Sequence, residues 1–491
     1  MSLTKEQQKP VDYLKTNDGL VLVSSVAGSG KTTLLKAIAT EIPHTNGLYM
    51  AYNKSIATAS KKQFPATTNC STTHSLAYQA VVKPNKYKVG FFGYREVKEK
   101  IPYEAKCLVA DLIREYCLSS YIHYEDFAEN YESDVTNLTK YCLKYLNMMS
   151  EGKLDVTHDF YLKMLHVGLA EGQIKYAPFD FILLDEAGDV NPVTAEIFML
   201  LPSKKKVAVG DPYQNIYTFN HTINCFETLA DKGTTFHLSQ SFRVPDKLAV
   251  PIEAFCKAYL DPNMAFKGIP VKDKTITTRG YITRTNGALI GEIIKLNKAG
   301  TPYGLTRKAS EIFKIPMMVS SMKHNGRITN PQYLHIQADF NEWYENERVR
   351  TLFKNPLSYL ADLYSDDVQL VSACKAVLQH GKQEVVSSYY EAKKHESTKQ
   401  NYTLTTAHSC KGLEFDEVTL GDDLNNSITE LVHYLQHTDK PILLPDQKES
   451  LNLYYVACTR ALKTLNNASH LKYFSDVLHK FLAEHYPEDL I

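Results

Sequence analysis

The stretch Ser25–Thr32, reading S-V-A-G-S-G-K-T, constrains this chain more than any other. It follows the apolar run Leu20–Ser25 and precedes Thr33–Ile42, where Leu34, Leu35, Ile38 and Ile42 recur at helical spacing. A Gly-rich loop between a strand and a helix lets successive backbone N–H groups turn inward around phosphate oxygens, at a helix end whose dipole favours anions. The stretch matches G-x-x-x-x-G-K-[ST] except that Ser25 stands at the first glycine. Ala27, Gly28, Ser29 and Gly30 would line the phosphates, Lys31 would reach the β- and γ-phosphates, and Thr32 would ligate Mg²⁺.

A second segment, Ile182-Leu183-Leu184-Asp185-Glu186-Ala187, is an apolar run ending in paired carboxylates. Alone it suits a capped strand edge equally well. Beside the loop it supplies the missing half of an ATP-hydrolysing site: Asp185 to hold Mg²⁺ through its waters, and Glu186 to orient or deprotonate the attacking water. Phe181–Leu184 and Lys206–Val209 read as buried parallel strands. Between loop and carboxylates, Tyr103–Gly172 carries apolar residues every three or four positions, so a helical insertion is expected there. A second α/β pattern follows Arg243, with strands at Gly280–Arg284, Tyr402–Ala407 and Glu417–Leu420 and a helix over Ser450–Leu462; about Thr301–Lys399 is charge-rich and less readable.

A chain of 491 residues suggests roughly three domains. Its formal net charge of zero removes any global basic field, so a nucleic-acid partner would need a locally basic groove. Nine cysteines without C-x-x-C pairs fit free thiols in a reducing compartment. The N-terminus has no signal-peptide pattern and no run of about eighteen apolar residues occurs, so a soluble cytoplasmic protein without membrane contact is expected, in the host cytoplasm if viral or the nucleus if eukaryotic.

The remaining motifs make the chain resemble the UvrD/Rep/PcrA-type superfamily I helicases, and among them the smaller relatives typified by the F-box DNA helicases. The motifs run in the family's order from Leu3 to Leu462. Leu3-Thr4-Lys5-Glu6-Gln7 is similar to the Q motif, which implies that Gln7 reads the adenine edge. Ala51-Tyr52-Asn53-Lys54 and Thr72-Thr73-His74-Ser75-Leu76 resemble two motifs that touch the DNA strand. Val209–Phe219 resembles G-D-x-x-Q-x-I-Y-x-W; Gln214 would sense the γ-phosphate, and Tyr217 and Phe219 would meet the strand, with Phe219 replacing the family's base-stacking tryptophan. Gln240-Ser241-Phe242-Arg243 resembles the motif opening the second core, with Phe242 on the adenine and Arg243 toward the γ-phosphate. Arg284-Thr285-Asn286 looks like a later motif. Thr406–Phe415 matches T-x-H-x-x-K-G-L-E-F, implying that His408 faces the DNA backbone and that Gly412 and Glu414 face the nucleotide. Glu449 and Tyr454–Ala461 match the last motif, with Arg460 as the arginine finger. Two residues depart from the pattern: Gly188 stands where the family carries a glutamine that couples the ATP state to the second core, and Thr33 where many relatives carry an arginine packing on the base.

The resemblance implies two RecA-like P-loop α/β domains, each a parallel sheet flanked by helices and each with an inserted subdomain. Expected bounds are 1–85 with 173–243, and 244–300 with 400–491, for the two cores, and 86–172 and 301–399 for the insertions. It further implies an ATP- and Mg²⁺-dependent monomer that moves 3′→5′ on single-stranded DNA and opens single/double-strand junctions, with a single-strand-binding or recombinase protein as a partner. A translocase that strips proteins from the strand uses the same residues, and a nucleic-acid-binding regulator with a decayed ATPase is the alternative of another class. Lys83–Lys100 interleaves basic and aromatic residues, a composition suited both to single-stranded nucleic acid and to a solvated turn.

Overall fold

The computed structural model describes residues 3–130, 137–216, 224–271, 273–328, 333–396, 400–438 and 443–485. The chain divides into two units, Met1–Gln240 and Ser241–Ile491.

The first unit is built on six strands: β1 (Gly19–Ser25), β2 (Gly47–Met50), β3 (Thr68–Ser71), β4 (Phe181–Asp185), β5 (Lys205–Gly210) and β6 (Thr234–Leu238). They lie in the order β3-β2-β4-β5-β1-β6, all parallel. Parallel sheets need both faces covered, which is why β1, β2 and β4 read as unbroken apolar runs. On one face Val21, Val23, Tyr49, Leu183 and Val207 meet the helices Lys5–Thr16 and Lys31–Glu41. On the other, Leu22, Leu48, Met50, Ile182 and Leu184 share a single core with the helical insertion. That insertion contains Tyr103–Leu118, Tyr124–Ala128, Thr139–Ser150 and His158–Ala170, as its 3.6-residue periodicity predicts. The strands end together at one edge, where the loops after β1, β4 and β5 meet. The register sets Asp185 beside Val209 and Ser24 beside Gly210.

The second unit opens with a two-stranded ribbon, β7 (Gln240–Pro245) with β8 (Lys267–Ile269). Its main sheet holds β9 (Arg279–Thr283), β10 (Gly304–Leu305), β11 (Tyr402–Thr406), β12 (Phe415–Leu420) and β13 (Ala461–Asn466), in the parallel order β10-β11-β9-β12-β13. Helices between Ala309 and Lys393 pack with Asn286–Ala299 into a core of their own. Both sheets are parallel and helix-flanked, so each unit is RecA-like. Two details differ from the sequence reading. Gly304–Leu305, inside the stretch expected as insertion, is an edge strand of the main sheet. The helix expected to reach Leu462 spans Pro445–Cys458 and gives way to β13, leaving Arg460 in the turn between them.

Candidate functional site

In the first unit the loop after β1 has the form that its glycines predict. Gly28 and Gly30 adopt φ of +72° and +81°, left-handed values that a side chain at either position would strain. The helix Lys31–Glu41 starts at Gly30 with no side-chain cap and no acidic residue in its first turn, so its leading N–H groups face the loop's concavity. Ser29 Oγ is buried there without a hydrogen-bond partner. An unsatisfied donor beside an uncapped helix start fits a phosphate ligand. Thr32 is exposed and Thr33 half-buried.

Lys31 Nζ makes a 2.9 Å ion pair with Glu186 Oε2. Burial alone would depress this lysine's pKa, but the charges of Glu186, Asp211 and Asp185 outweigh it and raise it. Three carboxylates around one ammonium leave surplus negative charge beside the phosphate loop. A divalent cation would neutralise that surplus, and Mg²⁺ needs only one or two carboxylates besides water and phosphate oxygens. Among the described residues no group of three or more His, Cys, Asp or Glu is placed to hold a metal by itself. Asp185 is buried, accepting 2.6 Å from the Tyr49 hydroxyl and 3.0 Å from the Glu186 N–H. Its carboxyl is pushed up to about 6, by burial first and then by Glu186, with Lys31 opposing. Glu186 itself sits at φ +54°, a left-handed conformation that non-glycine residues avoid and that clusters at functional sites.

Gln7 is buried at the loop's rim and donates 3.0 Å to Ser29 O, while its Oε1 accepts from the Thr4 N–H in a capping box. Both ends of the amide that the Q motif assigns to adenine thus also hold the helix start and the loop. Gln214 Nε2 donates 2.8 Å to buried Asp211 Oδ2. Tyr217 and Phe219 lie outside the described residues.

Three of the residues expected to meet DNA in this unit come together, while Asn53 and Lys54 do not line the same cavity. Tyr52, Thr73 and His74 line a cavity of about 370 Å³, with Asp185, Asp189 and Asn191 from the end of β4 and with Arg114 and Asp159 from the helical insertion. Asn53 caps the helix that Lys54 begins, through a 2.9 Å bond from the Ile56 N–H. His74 stands edge-on to His158 and Tyr161, and desolvation holds its pKa below the usual value, with Asp159 opposing and His158 reinforcing the shift. Five residues of π-helix, Tyr78–Val82, follow directly, a form that recurs at functional sites. Arg114 and Asp159 line this cavity and Tyr49 holds Asp185 at its edge, yet no motif in the sequence assigned them a part.

In the second unit Arg243 Nε pairs with Glu414 Oε2 at 2.8 Å, joining two of the expected nucleotide-facing residues. Phe242 is exposed and Gly412 takes φ +87°. His408 Nε2 lies 3.4 Å from Glu449 Oε1. Arg460 is only 1% exposed; its Nε donates 2.9 Å to Val456 O, and its terminal nitrogens donate to Leu413 O and Thr459 Oγ1. Asp423, which the sequence did not single out, accepts from the Arg284 and Thr285 N–H groups.

Residues 7–220 match a family model described as an AAA domain, and residues 345–471 match one described as a UvrD-like helicase C-terminal domain. The chain has the fold of the UvrD/Rep/PcrA-like superfamily I helicases. It is homologous to F-box DNA helicase proteins: it is 26% identical over 521 residues to F-box DNA helicase 1 of Gallus gallus, covering 96% of this chain and 50% of that one. To F-box DNA helicase protein 1 of Schizosaccharomyces pombe it is 26% identical over 523 residues, covering 94% of this chain and 57% of that one. The chain therefore spans about half the length of the curated relatives it matches. The superfamily I fold carries the P-loop ATPase architecture of an ATP-hydrolysing enzyme.

Proposed function

We propose that this superfamily I protein is an ATP-dependent translocase and helicase that moves 3′→5′ on single-stranded DNA and opens single/double-strand junctions. One observation supports it above the others: Asp185, the residue we assign to Mg²⁺, also lines the cavity formed by Tyr52, Thr73 and His74, while its neighbour Glu186 holds Lys31. One strand end thus serves the nucleotide loop and the strand-contact cavity together. A change of state at the loop reaches the cavity through two consecutive residues.

Thr32 and Asp185 would hold Mg²⁺, and the phosphate loop with Gln7 would hold ATP; bound there, Mg²⁺–ATP supplies the phosphoanhydride bond whose hydrolysis drives movement. Lys31 turns from Glu186 to phosphate, which leaves Glu186 as a carboxylate able to orient water and accept its proton. Gln214, held by Asp211, senses the terminal phosphate. Arg243 and Arg460 stabilise the charge that spreads over the transferred group. Hydrolysis removes interactions made only with the triphosphate, and that differential affinity is what shifts the conformational equilibrium.

The test measures ATP hydrolysis with and without single-stranded DNA, on wild type and Lys31→Ala, beside unwinding of duplexes with a 3′ or a 5′ tail. Stimulation lost in the variant and unwinding from the 3′ tail alone support the proposal. Stimulated hydrolysis without unwinding replaces the helicase with a protein-stripping translocase. Absence of hydrolysis on any nucleic acid sinks the motor.

A further inference from the structure

The segment between Lys83 and Lys100 carries Lys83, Lys86, Lys88, Arg95, Lys98 and Lys100, and all six basic residues are exposed. The structure sorts its four aromatics. Tyr87 donates its hydroxyl to Ser150 O, Phe92 packs on Tyr145 with ring centres 5.1 Å apart, and Tyr94 meets Tyr103 at the same distance. These three hold the loop. Phe91 is left 81% exposed, a large apolar ring in water within a basic field.

Phe91 does not sit on a loose tip. Gly90 N–H donates 3.0 Å to Val156 O, and Val156 N–H donates 2.8 Å to Lys88 O, pinning the backbone on its N-terminal side. On the other side its ring lies against Gly93, where a Cβ would come within 2.6 Å of it. Acids are present too: Glu96 accepts from the Gly93 N–H and acts on Arg95, Glu99 is paired with Lys144 at 2.6 Å, and Asp155 lies beside Gly90. Within residues 83–100 the six cations outnumber the two acids, Glu96 and Glu99, so the segment stays net positive. The segment also continues from His74 through unbroken helical turns spanning residues 73–85, roughly 15–20 Å at the usual helical rise.

We propose that this loop is a second contact for the nucleic-acid strand, with Phe91 stacking on an unpaired base and Lys86, Lys88 and Arg95 neutralising phosphates. The proposal rests on the single-stranded DNA reading above and extends its track beyond the His74 cavity. Basic side chains around one preorganised aromatic face are the two components of sequence-tolerant single-strand binding. An apolar protein partner would not call for six exposed cations in the same segment.

The experiment is fluorescence anisotropy of a labelled oligothymidylate against the full chain across a salt titration. Phe91→Ala is expected to weaken binding about tenfold, Phe91→Trp to retain it, and both to keep the wild-type melting temperature and DNA-free ATPase. Lys86→Ala with Lys88→Ala is expected to flatten the log–log salt slope by about 1.4. Wild-type binding with no change in any of these variants overturns the loop contact alone. A wild type that binds no strand overturns the single-stranded DNA reading and the loop contact together.

Discussion

Ser25 Oγ donates a 2.7 Å hydrogen bond to the carbonyl of Gly210, tying the start of the phosphate loop to the end of β5. The one position where the loop departs from the G-x-x-x-x-G-K-[ST] pattern is thus the position that anchors it to the strand leading into Asp211 and Gln214. Ser25→Ala removes the donor and leaves a buried acceptor, a loss of about 1–2 kcal/mol. In a unit of this size each kcal/mol lowers the melting temperature by about 2–4 °C. Thermal denaturation with and without ATP should show the drop in both. An unchanged midpoint refutes the anchoring role.

The same strand end explains Gly188. A Cβ there would lie 2.5 Å from Asp211 O, and one on Gly210 would lie 2.6 Å from Gly188 N. Backbone therefore fills the space that a side chain at position 188 would need. Gly188→Gln should therefore not restore coupling; it should destabilise the first unit by about 1–3 kcal/mol or more, because backbone cannot repack as a side chain can. DNA-stimulated ATPase should fall along with the melting temperature. A stable, more strongly coupled variant refutes this reading.

The two arginines should respond differently to truncation. Arg243 is partly exposed and pairs with a half-exposed Glu414, so the pair contributes at most about 1 kcal/mol to stability. Arg243→Ala should keep its melting temperature while losing hydrolysis by about 10³-fold. Arg460 is buried with three hydrogen bonds, so Arg460→Ala removes all three and opens a cavity, which should cost roughly 3 kcal/mol. Arg460→Lys keeps a charge but not the planar fork; it should stay folded while losing most activity. Steady-state ATPase and calorimetry on the three variants separate the roles.

Much of this site was legible because its residues are contiguous. Ser25–Thr32 and Asp185–Glu186 each carry their chemistry within one turn or strand end, where spacing alone reveals it. Tyr49 and Arg114 were not legible, since their parts depend on contacts such as Tyr49 with Asp185, 136 residues away. The Ser25–Gly210 bond spans 185 residues and leaves no local pattern. Strand β13 was missed for a local reason: Ala461-Leu462-Lys463-Thr464 follows a helix without Gly or Pro, so only pairing with β12 makes it a strand. Short strands such as β2, four residues long, carry too few side chains for a period to show.

Two buried groups give the first unit opposing acid responses. The Asp185 carboxyl is raised to about 6 by burial and then Glu186, above its unfolded value of 3.8. Its contribution is fully present below that unfolded value and is lost as pH rises through about 6. His166 is almost fully buried with Nδ1 unpartnered, and burial, with Lys163 adding, depresses it to about 4 from 6.5. Its contribution is present above 6.5 and is lost as pH falls through 4. Between pH 4 and 6 the two slopes cancel in part, so the wild-type melting temperature should vary little there. Asp185→Asn removes the first response: its melting temperature should exceed wild type at pH 7.5 and climb steadily from pH 4 to 6.5, while hydrolysis is abolished. His166→Leu removes the second and should show a melting temperature that falls as pH rises over the same range. Melting curves taken at half-unit pH steps on the three proteins decide it, because parallel curves would mean that neither group titrates in that window.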